Sequence, residues 1–205
     1  MTSHGVFIAL EGGEGSGKDT QIDLLKKRMD PATTVFTREP GGTLLGEEIR
    51  ATILKERTPA MRPETELFLF LAARAEIMEQ IVRPALREGK TVISNRFGLS
   101  TIAYQIYGRE RQHLLPLLKT LSDEIVGEDK PHYVLLDIAP EVGRTRVEQR
   151  GALSRFDADS LAFHSRVQKG YLEHVHSGAE SVIVNASRSV EEVSADVWKA
   201  VSSWL

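Results

Sequence analysis

The stretch Gly12-Gly13-Glu14-Gly15-Ser16-Gly17-Lys18-Asp19-Thr20 constrains this chain more than any other. A glycine is followed, after four intervening residues, by a Gly-Lys pair. Before it runs an apolar segment, Val6 to Leu10. After it comes a helical pattern, Lys18 to Met29, with Ile22, Leu24, Leu25 and Met29 apolar. Strand, glycine loop and helix in this order form a P-loop. The glycines let backbone N–H groups turn inward on phosphate oxygens, and the helix adds its positive end. Lys18 supplies a mobile charge for the β- and γ-phosphates. Gly12, Gly13, Glu14, Gly15, Ser16, Gly17, Lys18, Asp19 and Thr20 are thus the candidate ATP site. Position 19 usually carries the hydroxyl residue that coordinates Mg²⁺; here it is Asp19, with Thr20 next.

Further β-rich runs follow at Thr34 to Thr37, Thr91 to Ser94, Tyr133 to Ile138 and Ser181 to Asn185. Helical patterns fill the gaps: Leu44 to Lys55, Glu64 to Glu88, Ser100 to Tyr107, Arg111 to Val126, Glu141 to Arg150, Ser160 to His176 and Val190 to Leu205. This alternation predicts a three-layer α/β fold, a five-stranded parallel sheet with helices on both faces. With 205 residues, the chain suits one domain, 1–205. Ligands in such sheets bind beyond the carboxyl ends of the strands. A net charge of −3 without a basic tail gives no nucleic-acid footprint. There is no cysteine, so no thiolate or disulfide chemistry is available. Met1 to Gly5 has no basic segment backed by an apolar one, and Leu67 to Ala73 is too short to span a bilayer. A cytoplasmic enzyme is expected.

Three segments after the second strand, inside the third helix and after the third strand narrow the reading. They are Thr37-Arg38-Glu39-Pro40-Gly41-Gly42-Thr43, Phe70-Leu71-Ala72-Ala73-Arg74 and Asn95-Arg96-Phe97-Gly98-Leu99-Ser100-Thr101-Ile102-Ala103-Tyr104-Gln105. Pro-Gly-Gly is also good turn chemistry. Phe70 and Arg74 share a helix face, and Arg74 has only apolar residues three and four positions away. It needs a partner from another element or from a ligand. Together these segments resemble the bacterial thymidylate kinase family, and the resemblance continues through Pro140-Glu141-Val142-Gly143 and Gln149-Arg150-Gly151 to Tyr171-Leu172.

The resemblance implies transfer of the γ-phosphoryl group of ATP to dTMP, with Mg²⁺, in a homodimer that binds neither nucleic acid nor membrane. It makes Arg38, Glu39 and Arg96 ligands of the acceptor monophosphate region, and places Glu14 near both nucleotides. Phe70 becomes the stacking platform for thymine and Arg74 a donor to a base carbonyl. Ser100, Tyr104 and Gln105 fall near the sugar and base. Members whose P-loop lacks an arginine carry the transition-state arginine in a lid, here about residues 150–159. Arg150 and Arg155 are then catalytic, and Arg146 is placed on adenine. Arg144 and its neighbours also fit a solvated helix face. Two positions depart from the family pattern, Asp19 and Asn95, where an aspartate usually precedes the arginine. Asp19 is the candidate metal ligand, restoring the charge lost at Asn95; a carboxylate in a first helical turn is favourable anyway. Two other readings stand beside this one: a deoxynucleoside kinase using Glu39 as base, and a catalytically weak nucleotide-binding homologue.

Overall fold

The computed structural model describes residues 4–151, 155–157 and 159–205, with the side chain of Arg150 also outside the description. Five strands form one parallel sheet: β1 (Phe7–Gly12), β2 (Thr34–Arg38), β3 (Thr91–Asn95), β4 (His132–Asp137) and β5 (Ser181–Asn185), in the order β2-β3-β1-β4-β5. The two sides of the chain meet at β1, which lies between β3 and β4. This is the switch point at which a parallel sheet opens a crevice at its carboxyl edge.

Alternation along the strands sorts the core into two layers. Ile8, Leu10, Ile93, Val134, Leu136 and Val184 pack on α1 (Lys18–Arg28) and α9 (Val190–Ser202). Phe7, Ala9, Val92, Tyr133 and Leu135 face the other side, toward α3 (Pro63–Ile77), α5 (Gly98–Thr101) and α8 (Leu161–His174). The remaining helices are α2 (Leu44–Leu54), α4 (Arg83–Arg87), α6 (Leu115–Val126) and α7 (Pro140–Arg150). Local chemistry sets several starts. Thr43 caps α2 through Gly46 N–H, and Ser189 with Glu192 forms a capping box on α9. Gly151, at φ 81°, ends α7 in the left-handed conformation expected of a glycine terminus.

Two expected helices are not uniformly α. The segment read as Glu64 to Glu88 is α3, a π-turn over Met78–Val82, then α4. Pro84 explains the break, since its missing N–H cannot bond the carbonyl four residues back. The segment read as Ser100 to Tyr107 is α5 followed by a π-helical stretch, Ile102–Gly108. The helix read from Arg111 starts with a 3-10 turn, Gln112–Leu114, before α6, the one read to His176 ends in a 3-10 turn, Val175–Ser177, and the last helix stops at Ser202, three residues short of Leu205; the other ends lie within one or two residues of the sequence reading.

Candidate active site

The P-loop closes the carboxyl end of β1. Gly12, Gly15 and Gly17 take φ values of 147°, 72° and 87°, which side-chain-bearing residues rarely adopt. Gly15 also packs against α7, where a Cβ would lie 2.2 Å from the Gly143 carbonyl oxygen. Lys18 folds back over its own loop, donating to Gly12 O at 2.8 Å, Gly13 O at 2.8 Å and Ser16 Oγ at 3.1 Å. Burial, and then the Arg96 charge, pull its ammonium down to about 7, against the opposing pull of Glu14 and Asp19. An ammonium so poorly solvated is held ready for an anion.

Arg96 joins this loop to the third strand. Its φ of 69° is unusual for a side-chain-bearing residue. The turn is held by Arg96 N–H donating to Leu10 O at 2.9 Å and by Ser94 Oγ donating to Arg96 O at 2.6 Å. The guanidinium donates to Gly12 O at 3.0 Å, Glu14 Oε1 at 2.7 Å, Ser100 Oγ at 3.2 Å and the hydroxyls of Tyr104 and Tyr171 at 3.3 and 3.0 Å. Burial works to raise the Glu14 pKa, but Arg96 and Lys18 more than offset it and hold the carboxyl at about 2. Tyr104, whose phenol burial holds well above its ordinary pKa, donates to the same Glu14 oxygen at 2.9 Å. The structure therefore gathers Gly12, Glu14, Lys18, Arg96, Ser100 and Tyr104 into one cluster.

Beneath the cluster lies a group the sequence reading missed. Glu11 is fully buried and accepts from Phe97 N–H at 2.8 Å, Ser100 N–H at 3.1 Å and Ser100 Oγ at 2.5 Å. Burial raises its pKa to about 7, with Ser100 and Arg96 pulling it back. A carboxylate on the Phe7/Ala9 side of an otherwise apolar strand was the available signal.

The loop after β2 forms a second cluster. Arg38 donates to Glu47 at 2.8 and 3.3 Å, and Gly42 N–H donates to the same carboxylate at 2.8 Å. The hydrogen bond from Arg38 holds Glu47 below the usual carboxylate range. Arg50, also missed, donates to Pro40 O at 3.0 Å; burial and then the charge of Arg38 lower its pKa, and Arg96 adds to this. The charges of Arg38, at the carboxyl end of β2, and of Arg96, just after β3, thus both act on Arg50.

Arg74 finds its partner in another element. Its Nε donates to Glu39 Oε2 at 3.0 Å, Nη2 to Glu39 Oε1 and to Thr101 Oγ1, and Nη1 to Ser122 Oγ at 3.2 Å. Four of its five N–H groups are thereby used. Both residues are buried, and both Glu39 oxygens are engaged. Glu39 is consequently not placed to take a proton from a sugar hydroxyl, which weighs against the deoxynucleoside kinase reading.

Phe70 meets Phe156, in the segment read as a lid. The Phe156 ring stands 6.5 Å from Phe70 and 5.8 Å from Tyr104, centre to centre. Arg155, expected at the transferring phosphoryl group, instead donates to Glu66 on α3 at 2.5 Å, beside Gln105, which donates to Glu66 at 3.0 Å. Arg146 donates to Ala186 O at 2.9 Å and Gly15 O at 3.4 Å, between the P-loop and the loop after β5. Arg144 makes an exposed pair with Glu148 on its own helix at 2.8 Å. Arg150 lies outside the described side chains. Asp19 and Thr20 are exposed at the loop mouth, and Asn95 Nδ2 donates to Asp19 Oδ1 at 2.6 Å.

Residues 10–197 match the profile of the thymidylate kinase family. The chain belongs to that family. It is 43% identical to the thymidylate kinase of Marinomonas sp. (strain MWYL1), over 94% of this chain and 92% of that one. It is 40% identical to the thymidylate kinase of Deinococcus radiodurans, over 98% of each. The crystal structure of thymidylate kinase from Ehrlichia chaffeensis superposes with a TM-score of 0.76 at 28% identity, covering 97% of this chain and 99% of the other. No helix among the described residues is long and apolar enough to cross a membrane.

Proposed function

We propose that this protein transfers the γ-phosphoryl group of ATP to dTMP, giving ADP and dTDP on the route to dTTP. The observation that carries the reading is the position of Arg96. It binds the P-loop at Gly12 and Glu14 and the acceptor-side residues Ser100 and Tyr104 at once. A charge at that junction touches both nucleotides. The nucleophile is an already ionised phosphate oxygen, so no general base is needed and catalysis reduces to positioning and charge neutralisation. Triphosphate oxygens replace the loop carbonyls as partners of Lys18, and their negative charge restores its ammonium. Arg38 and Arg50 offer planar donors to the monophosphate. The orphan acceptor Gln105 Oε1 and the remaining N–H of Arg74 suit the imide edge of thymine.

Asp19 fits a divalent cation. Mg²⁺ takes oxygen ligands and commonly uses one or two carboxylates with phosphates and waters. An exposed carboxylate at the loop mouth supplies such a ligand, and no group of three or more acidic or imidazole ligands exists among the described residues. When bound, the ion supplies further neutralisation at the β- and γ-phosphates. A homodimer and a cytoplasmic location accompany this reading. Phe68, 52% exposed on α3, gives the dimer an apolar contact; Phe68→Glu should shift sedimentation toward the monomer.

A coupled ADP-release assay with dTMP, with thymidine and with no acceptor tests the assignment. Turnover with dTMP alone is expected. Turnover with thymidine would support the nucleoside kinase, and none with either acceptor the weak homologue.

A further inference from the structure

Glu66 lies on α3, one helical turn before Phe70 and so on the same face. Its carboxylate is 1% exposed and ringed by donors. Oε1 accepts from Gln105 Nε2 at 3.0 Å and Arg109 Nε at 3.3 Å, and Oε2 accepts from Arg155 Nη2 at 2.5 Å. Arg109 is held in turn by both oxygens of Asp159 at 3.1 Å, and stands 4.7 Å from the Phe163 ring centre. An ionised carboxylate can only accept. It therefore takes the amide NH₂ of Gln105 and leaves the amide oxygen facing away, an orientation decided by the network. That oxygen is buried without a partner among the described residues. A buried acceptor left unpaired is costly, and this one awaits a donor.

We propose that Glu66 is a positioning residue that determines which pyrimidine the site accepts. The inference rests on the monophosphate kinase reading above. By fixing the Gln105 amide with its buried oxygen turned away from the carboxylate and unpaired, Glu66 favours a base that presents an N–H at the imide position, as thymine and uracil do. Cytosine presents a lone pair there, so two acceptors would meet. Turning the amide over to suit cytosine sets its oxygen against the Glu66 carboxylate instead. Either way one acceptor–acceptor contact remains, and it discriminates between the bases.

The test compares kcat/KM for dTMP and dCMP in the full-length wild type, Glu66→Gln, Glu66→Gln/Gln105→Glu and Glu66→Asp. The amide introduced by Glu66→Gln can accept or donate, so the amide of Gln105 is no longer fixed. The dTMP-to-dCMP ratio should fall about tenfold, roughly 1.4 kcal/mol, with the KM for ATP unchanged. In the double variant the acceptor-only group sits at position 105, and the ratio should return. A purely structural role would lower kcat/KM for both acceptors by one factor and leave the ratio and its rescue unmoved, which overturns the proposal. If circular dichroism shows Glu66→Gln unfolded, Glu66→Asp decides: it keeps an acceptor-only carboxylate and must keep the ratio. If the wild type does not phosphorylate dTMP, the kinase reading fails. Calorimetric affinities of dTMP and dCMP for the same variants then support or overturn the role of Glu66 by the same ratio.

Discussion

Asn95 Nδ2 donates to Asp19 Oδ1 at 2.6 Å, so the two residues read from the sequence resemblance as departures touch each other. The carboxylate usual after β3 is missing, and one stands across from it at the start of α1. Groups in contact are where substitutions couple. Asp19→Ser is expected to raise the Mg²⁺ concentration needed for half-maximal rate and to depress kcat. Asn95→Asp should restore much of that loss in the Asp19→Ser background, yet do little or harm alone by setting like charges together. Calorimetric titration of Mg²⁺ with the non-reacting nucleotide bound gives a second readout. Strictly additive effects in both measurements would sink the compensation, leaving Asp19 as a first-turn carboxylate.

The pair of Arg74 and Glu39 makes a separate prediction. Removing one partner of a buried ion pair leaves a charge uncompensated, commonly at a cost of about 3–5 kcal/mol. Arg74→Ala should lower the midpoint of urea unfolding by that order. Glu39→Ala in the same chain should recover part of it, because no lone carboxylate remains. Where the single variant stays folded, its KM for dTMP should rise and that for ATP stay near wild type. Equal changes in both constants would exclude contact with the base.

Glu11 predicts a pH dependence. Its pKa is raised by burial from 4.5 to about 7 in the folded protein. The folded chain therefore binds the proton that the unfolded chain has released, and this stabilisation is full below 4.5 and lost as pH rises toward 7. Above 7, Lys18 works the other way, because its lowered pKa makes stability rise with pH. The window for Glu11 is about pH 5 to 7; His132 and His174, whose imidazole pKa burial lowers, work the other way there, and their contribution cancels when a Glu11 variant is compared with wild type. Glu11→Gln mimics the protonated acid, so its stability relative to wild type should grow across that window, by on the order of 2 kcal/mol. Denaturant curves at the two limits measure it; parallel behaviour of both proteins would refute it.

Arg155 rests on Glu66 here, so the part proposed for it in phosphoryl transfer has a recognisable signature. A group that leaves one partner to meet charge only as the phosphoryl group transfers should affect turnover. Arg155→Ala is expected to lower kcat and kcat/KM by a similar factor, with little change in either KM. An unchanged kcat would remove Arg155 from the chemistry.

Much of this site was legible because its segments obey a local grammar. The P-loop, the Arg38 to Thr43 loop and the Asn95 to Gln105 segment each follow a strand, and strand ends are where a parallel sheet binds ligands. Contacts across the chain were not legible. Arg74 plainly needed a partner, but Glu39 lies 35 residues away and only the fold brings them together. Glu11 fell just beyond the run read as a strand, Val6 to Leu10, and its role depends on the register that sets Leu10 beside Asn95. Arg50 and Glu66 sat in ordinary helical patterns whose outward signs were the same as those of surface charges. The π-turns escaped because a period of 3.6 hardly differs from a wider one over five or seven residues.

The contact between Gly15 and Gly143 joins two elements of the site without an intermediary. The backbone of the nucleotide loop lies directly on α7, with no side chain between them as cushion. A tilt of α7 cannot be absorbed by a changed rotamer, because there is none; it must displace the loop or be stopped by it. Filling the loop with phosphate should therefore be felt along α7 through backbone contact alone.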